Sequence, residues 1–374
     1  MDNNIAARLI EYITLLLPFA HGHQIKALAV FVAAIINNQT ANQAELARSF
    51  GSQEAATGRL SRLLHNERIS PGALADALFA LVLSQLPSHG KIRLAIDWTI
   101  EGSHHLLVVS LVTGSRAIPI YWRAYDQTVL KGRMRRYERA VIKRVLNSVR
   151  AKIGRRRLII TADRGFADVD LARLFESFKV EFIIRVKNST KVFVNQQWQK
   201  LSKMRFEGNA RHRNLGQLYY CESDPERLYV RMSRARNKKG KWGVWYLITN
   251  RASSARQTAR EYGRRWGCEE GFRDVKWEMG FSEARIKEVQ AWSRMFGLFA
   301  IGLQIIVKLG IKLIGDGSKE AIDRMRRVAS RRKGRWDLSI VSAMVSLLKL
   351  DKGLFEHLSI HTKLNLEASL PNVS

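Results

Sequence analysis

Three apolar, β-branched runs laid almost end to end constrain this chain more than any other feature. Lys91–Ile100, His104–Thr113 and Arg116–Tyr121 are separated only by Glu101-Gly102-Ser103 and Gly114-Ser115. Gaps that short favour neighbouring antiparallel strands, a meander. A basic helix follows at Arg135–Lys152, then an apolar strand at Leu158–Thr161. A helix starting near Asp168 and running through Phe175 leads to another apolar strand, Val180–Val186.

The order β-β-β-α-β-α-β is that of a ribonuclease-H-like core, an α/β fold with a mixed sheet and helices on its faces. Residues 1–85 read as helices with short turns. Among them, Gln43–Phe50, Gly51-Ser52 and Gln53–Asn66 have the pattern of a helix-turn-helix, with Arg59, Arg62 and Arg68 placed for phosphate contacts. Any all-helical bundle produces that pattern too. Between Asn188 and Asn250 strands return, at Lys191–Val194, Gln217–Cys221, Arg227–Met232 and Gly243–Thr249, with a turn at Asn237-Lys238-Lys239-Gly240. A long helix (roughly Ser254–Met279), an apolar helix (Val289–Leu313), a basic stretch (Arg324–Arg335) and a final apolar helix (Leu338–Leu350) complete the pattern. The expected organisation is an N-terminal helical DNA-binding region (1–88), a core made of 89–187 and 251–315, an inserted β subdomain (188–250) and a basic C-terminal helical region (316–374).

Lys and Arg number 63 against 33 Asp and Glu, a net charge of +30. An excess spread along the whole chain opposes compaction unless a polyanion neutralises it, which points to nucleic acid. No basic amphipathic helix stands apart as a membrane anchor. The most apolar segment, Met295–Val307, is too short to span a bilayer and reads as a buried core helix. Cys221 and Cys268 form no disulfide framework and show no zinc spacing, and the N-terminus lacks a basic n-region. A reducing, cytoplasmic setting is expected.

Asp97 interrupts the apolar strand Leu94-Ala95-Ile96-Asp97-Trp98. A buried, unpaired charge there costs several kcal/mol, so it must be paired, exposed or metal-bound. Asp163 follows Leu158-Ile159-Ile160-Thr161-Ala162 and precedes Arg164-Gly165, at the carboxyl end of a strand, where open α/β sheets place their sites. With the fourth strand beside the first, the two aspartates become neighbours. Like charges that close are usually resolved by a divalent cation.

Tyr262, Arg265, Glu269 and Lys276 supply the remaining chemistry. In a continuous α-helix, Arg265, Glu269 and Lys276 lie roughly 60°, 20° and 40° from Tyr262, on one stripe. The bland reading is a solvated, charge-laced helix. The sharper one gives Glu269 to a metal and the phenol and two cations to phosphate oxygens. Three carboxylates make a hard-oxygen site for Mg²⁺ or Mn²⁺, and two such ions can activate a water or 3′-hydroxyl at a phosphodiester. Asp168 reads as a helix N-cap and Asp170 as a first-turn charge. Glu270 and Asp274 lie off the stripe and read as surface charges; Asp126 is left unassigned.

Taken together, Asp97, Asp163 in Ala-Asp-Arg-Gly-Phe-Ala-Asp, and Tyr262-x2-Arg265-x3-Glu269-x6-Lys276 resemble the DDE transposases of the bacterial insertion-sequence-four (YREK-type) family. The resemblance runs from about residue 90 to 315 and includes the β insertion before the glutamate. It implies a cut-and-paste DNA transposase, nucleoid-associated, that acts on double-stranded transposon ends and target DNA, commonly as a homodimer, and often through a hairpin. Asp97, Asp163 and Glu269 would then hold two Mg²⁺ (or Mn²⁺) ions. Tyr262, Arg265 and Lys276 would grip the phosphate and 5′ end of the non-transferred strand, with Arg164 beside Asp163 joining the phosphate-binding set. Relatives stack a flipped base on a tryptophan upstream of the signature; Trp245 occupies that place and Trp266 lies beside the stripe. Two other readings stay open: a DNA-binding protein of transposase descent that has lost catalysis, and a ribonuclease-H-like nuclease without joining activity.

The resemblance leaves Gly263, Gly267 and Gly271 unexplained. They recur every four residues on the face opposite the stripe, each costing about 1 kcal/mol against alanine within a helix. They are expected to admit the Val289–Leu313 helix or DNA backbone.

Overall fold

The computed structural model describes residues 3–48, 52–87, 90–113, 116–153, 158–236, 240–315, 331–332, 335–336 and 340–358. The turn residues Gly51 and 237–239, and most of the basic stretch Arg324–Arg335, lie outside the described residues. Five helices come first: α1 (Asn3–Leu16), α2 (Gly22–Asn38), α3 (Gln43–Arg48), α4 (Gln53–Leu64) and α5 (Pro71–Ser84). Then come β1 (Ile92–Glu101), β2 (His104–Thr113), β3 (Arg116–Asp126), α6 (Gln127–Leu130), α7 (Met134–Ile153), β4 (Leu158–Ala162), α8 (Val169–Ser177) and β5 (Glu181–Val186). Five strands follow: β6 (Lys191–Val194), β7 (Gln197–Lys200), β8 (His212–Tyr220), β9 (Glu226–Arg236) and β10 (Trp242–Thr249). Next are α9 (Ala255–Gly263), α10 (Trp266–Arg273) and α11 (Val289–Gly315), with a last helix at Ile340–Leu350.

Ten strands form one mixed sheet in the order β3-β2-β1-β4-β5-β10-β9-β8-β6-β7. The first five are in the ribonuclease-H-like order expected. β4 runs parallel to β1, from Ile92↔Leu158 to Ile96↔Ala162, and β5 runs parallel to β4. The inserted strands do not build a sheet of their own. β10 pairs antiparallel with β5, Val186 opposite Tyr246, so the insertion extends the core sheet. The strand β7 escaped the sequence reading because its hairpin turns on Asn195 and Gln196, both at positive φ (50° and 62°), with no glycine to signal the turn.

The chain divides into two compact units. One, called here the sheet unit, comprises His89–Asp97 and Met134–Gly267. In it α7 buries Val141, Ile142, Val145, Leu146 and Val149, the spacing of one helical face. Asp168 caps α8, as expected, by accepting from the Asp170 amide. Arg139 ties that turn to α7 through Asp168 (3.1 Å) and Asp170 (2.8 Å).

The other, the helical unit, comprises Met1–Ser88, Trp98–Arg133 and Cys268–Ser374. Its axis is α11, at 27 residues longer than the apolar core read from the sequence. By length and composition α11 could cross a membrane, but its apolar window is almost wholly buried inside the protein. Gly297 lets Leu74 and Trp122 close on the helix, where a Cβ would stand 2.3 Å from Leu74 Cδ2. Arg294 donates to the carbonyls of Leu64 (2.7 Å) and Ile69 (2.8 Å), satisfying backbone groups that α4 and its following turn leave open. Asp126, unassigned from sequence, caps α6 by accepting from the Thr128 amide at 2.9 Å.

Candidate active site

The sheet unit sets Asp97, midway along β1, beside Asp163, which directly follows the carboxyl end of the adjacent parallel strand β4. The β1–β4 register closes at Ile96↔Ala162, so Asp97 is the next residue on β1 and Asp163 the first residue after β4. Both are half-buried. Asp163 is turned by its own backbone, its Oδ1 accepting from the Gly165 amide at 2.7 Å as the chain enters a short 3₁₀ turn. Arg164, in that turn, is exposed. Asp97 meets the pairing requirement of its buried strand: Arg265 Nη1 donates to its Oδ2 at 2.8 Å, with the two side chains 10% and 18% exposed. A charge-assisted pair this shielded is tighter than a surface bridge.

Arg265 also lies over the Tyr262 ring, 5.8 Å from its centroid. Tyr262 is buried at 4% exposure, in a cluster with Ile159, Ile183, Leu247 and Ala259. Burial pushes its phenol up, Arg265 and Arg185 pull it back, and Asp163 adds to the rise. Trp245 packs edge-on against Tyr262, ring centroids 5.1 Å apart at 76°. Trp245 is therefore a half-buried wall of this cluster, whereas Trp266 is 40% exposed. Arg185 was not picked out from the sequence; as one basic residue in a strand it carries no distinguishing pattern.

The helical unit carries the other two signature residues. Glu269 is half-buried in the first turn of α10. Lys276 Nζ donates to Glu101 Oε2 (3.1 Å) and to the Ile100 carbonyl (3.2 Å), both at the end of β1. Glu101 was another omission, because it reads as an ordinary turn residue.

Three expectations for this segment need correction. The helix is not continuous from Ser254 to Met279. It ends at Gly263, resumes at Trp266 and turns into a π-helix over Asp274–Glu278. Arg264 and Arg265 bond three residues back, to Glu261 (3.2 Å) and Tyr262 (2.9 Å), which tightens the chain at the break. Glycines at 263 and 267 weaken the helix on either side of it. Angle counting from Tyr262 through Lys276 therefore loses its basis. Asp274 is not a surface charge: it is 1% exposed and ion-paired with Arg116 (2.9 Å), which also reaches Glu270 (3.5 Å). Burial pushes the Asp274 carboxyl up to about 7 despite Arg116. Finally, the glycine face does not serve α11. A Cβ on Gly271 would stand 2.1 Å from the carbonyl oxygen of Ala117 in β3, while one on Gly263 would meet nothing within 4 Å.

Asp97 and Asp163 in the sheet unit, and Glu269 in the helical unit, each offer only oxygen, the donor type a hard divalent cation takes. The aspartate pair fits such an ion by position. Among the described residues, however, no three His, Cys, Asp or Glu side chains are grouped as a metal site, and Asp97 is held by Arg265 instead.

Residues 127–303 match the family model described as "Transposase DDE domain". The match takes in Asp163, Trp245, Tyr262, Arg265, Glu269 and Lys276; Asp97 precedes it. No curated protein matches the chain.

Proposed function

Starting from a chain whose residues 127–303 match the transposase DDE domain model, we propose that the protein binds the inverted-repeat ends of an insertion sequence and moves them by metal-dependent cleavage and strand transfer, in the manner of the YREK-type subfamily. The observation that carries this is the placement of Asp97 and Asp163 side by side on adjacent parallel strands, with Arg265 of the signature donating to Asp97 and lying over the Tyr262 ring.

In this reading Asp97, Asp163 and Glu269 hold two Mg²⁺ or Mn²⁺ ions. Such ions activate the attacking oxygen and stabilise the leaving one. Arg265 exchanges Asp97 for a phosphate oxygen when DNA and metal arrive, so one guanidinium shields the carboxylate at rest and grips the backbone in the complex. Tyr262 borders the same phosphate, and Lys276 gives up Glu101 for the 5′ end of the non-transferred strand. Arg164 and the exposed Trp266 line the DNA path, and Trp245 offers its free ring face to a flipped base as the hairpin forms. The net charge of +30 supplies the long-range attraction to DNA. The working form is a homodimer pairing two ends, in the cytoplasm at the nucleoid.

The test uses purified full-length protein, Mg²⁺ and a labelled inverted-repeat end. Nicking followed by a joined product, both lost in Asp97→Ala and Glu269→Ala while DNA binding persists, is the expected result. Nicking without joining would make the chain a nuclease. Tight binding without nicking, unchanged by Glu269→Ala, would make it a DNA-binding descendant.

A further inference from the structure

The proposed chemistry rests on Glu269, and α10, which carries it, is only eight residues long and separated from α9 by a break. Its rotation cannot be inherited from the preceding helix, so something else must set it. Within the helical unit three contacts that bear on it come from the start of β3. Arg116 Nη1 faces Glu270 Oε2 at 3.5 Å, and Arg116 Nε faces Asp274 Oδ2 at 2.9 Å. The neighbouring Ala117 carbonyl fills the space where Gly271 lacks a side chain. Asp274 is a helix-surface neighbour of both Glu270 (i, i+4) and Gly271 (i, i+3). Arg273 closes the cluster with an ion pair to Glu270.

The energetics argue that this cluster is kept for geometry. Asp274 is buried at 1% exposure, and a hydrophobic pair of similar volume usually stabilises as much as a buried ion pair or more. Arg116, by contrast, ties two carboxylates to one strand, hydrogen-bonding Glu270 through Nη1 and meeting Asp274 through Nε as an ion pair with no hydrogen bond to either Asp274 oxygen. Directly after Asp274 the helix widens into a π-turn, its Met279 amide bonding to the Asp274 carbonyl at 2.9 Å, the kind of irregularity that recurs at functional sites. Lys276 sits in that turn, anchored to the end of β1.

We propose that Arg116, Glu270 and Asp274 form a positioning clamp that fixes the rotation of α10, and through it the orientation of Glu269 as a metal ligand. The inference rests on the function proposed above. Asp274 acts through Glu269 and touches no reacting atom.

The experiment is a double-mutant cycle on the full-length protein bound to an inverted-repeat end. It measures Mn²⁺ affinity by electron paramagnetic resonance of free Mn²⁺ and, separately, the nicking rate. Asp274→Asn should weaken Mn²⁺ binding about tenfold, the usual scale for losing a partner behind a metal ligand, with DNA affinity unchanged. In Glu269→Ala the same substitution should cost nothing further. If Glu269→Ala leaves Mn²⁺ binding and nicking intact, the proposed function itself fails. If Glu269→Ala is damaging but Asp274→Asn matches wild type, or its loss adds in full to that of Glu269→Ala, the clamp is overturned and the function stands. Should Asp274→Asn melt more than a few degrees below wild type, Glu270→Gln, at a more exposed carboxylate of the same cluster, takes its place with the same outcomes.

Discussion

Lys308 provides the sharpest thermodynamic test of the helical unit. It lies on α11, is 2% exposed, and its ammonium stands 5.2 Å from the ring of Tyr12 on α1. One turn earlier, Gln304 Oε1 accepts from the Tyr12 hydroxyl at 3.3 Å. Burial pulls the Lys308 pKa from 10.5 down to about 7. The unfolded chain therefore holds this proton between pH 7 and 10.5 while the folded chain releases it, so stability rises with pH through that window. At 1.36 kcal/mol per unit, the penalty below pH 7 is about 4–5 kcal/mol. Lys308→Met keeps the volume and removes the charge, at the loss of a cation–π contact of about 0.5–2 kcal/mol. The substitution should therefore stabilise the protein by about 3 kcal/mol at about pH 6.5, and this advantage should fall to about 1 kcal/mol by about pH 9.5. Urea unfolding followed by circular dichroism, with the variant and wild type compared at both pH values, measures this. A variant less stable than wild type at both, or an advantage that does not shrink with pH, would refute the reasoning.

Other consequences concern backbone contacts, charge and DNA. Gly271→Ala should lower stability by about 2–3 kcal/mol, because its Cβ meets the Ala117 carbonyl, whereas Gly263→Ala, with open space around it, should gain about 0.5–1 kcal/mol; thermal melts distinguish the two. Arg93 donates to Glu261 at 2.7 Å, with both side chains 13% exposed. Burial pushes the Glu261 carboxyl up, but Arg93, with the Arg264 and Lys91 charges, more than reverses it and leaves it below its ordinary value. That contribution is present above the ordinary carboxylate pKa and is lost as pH falls through the folded value. Glu261→Gln should accordingly cost about 1–3 kcal/mol at neutral pH, with a smaller difference near pH 4. Affinity for DNA should fall steeply with salt, log K dropping by roughly 0.9 per phosphate neutralised for each tenfold rise in salt. A shallow slope in filter-binding or anisotropy titrations would deny the chain a broad basic footprint.

Much of the fold was written in local pattern. Short gaps between apolar runs placed β1, β2 and β3 beside one another, and hydrophobic periodicity located α7 and α11, because both signals act over a few residues. The pairing of Asp97 with Asp163 was legible for the same reason: β-β-β-α-β leaves few places for the fourth strand. The single stripe from Tyr262 to Lys276 was not so determined. It assumed an unbroken helix, and the break at Arg264-Arg265 and the π-turn at Asp274 depend on partners distant in sequence, Asp97 for Arg265 and Arg116 for Asp274. The same distance hid the burial of Asp274, whose neighbours along the chain are charged and give no sign of it. Sequence alone nominated the residues proposed to carry the chemistry, through their types and spacing. Tertiary structure decided which of them are paired, buried or turned aside, because a charge on a helix takes its environment from whatever strand packs against it.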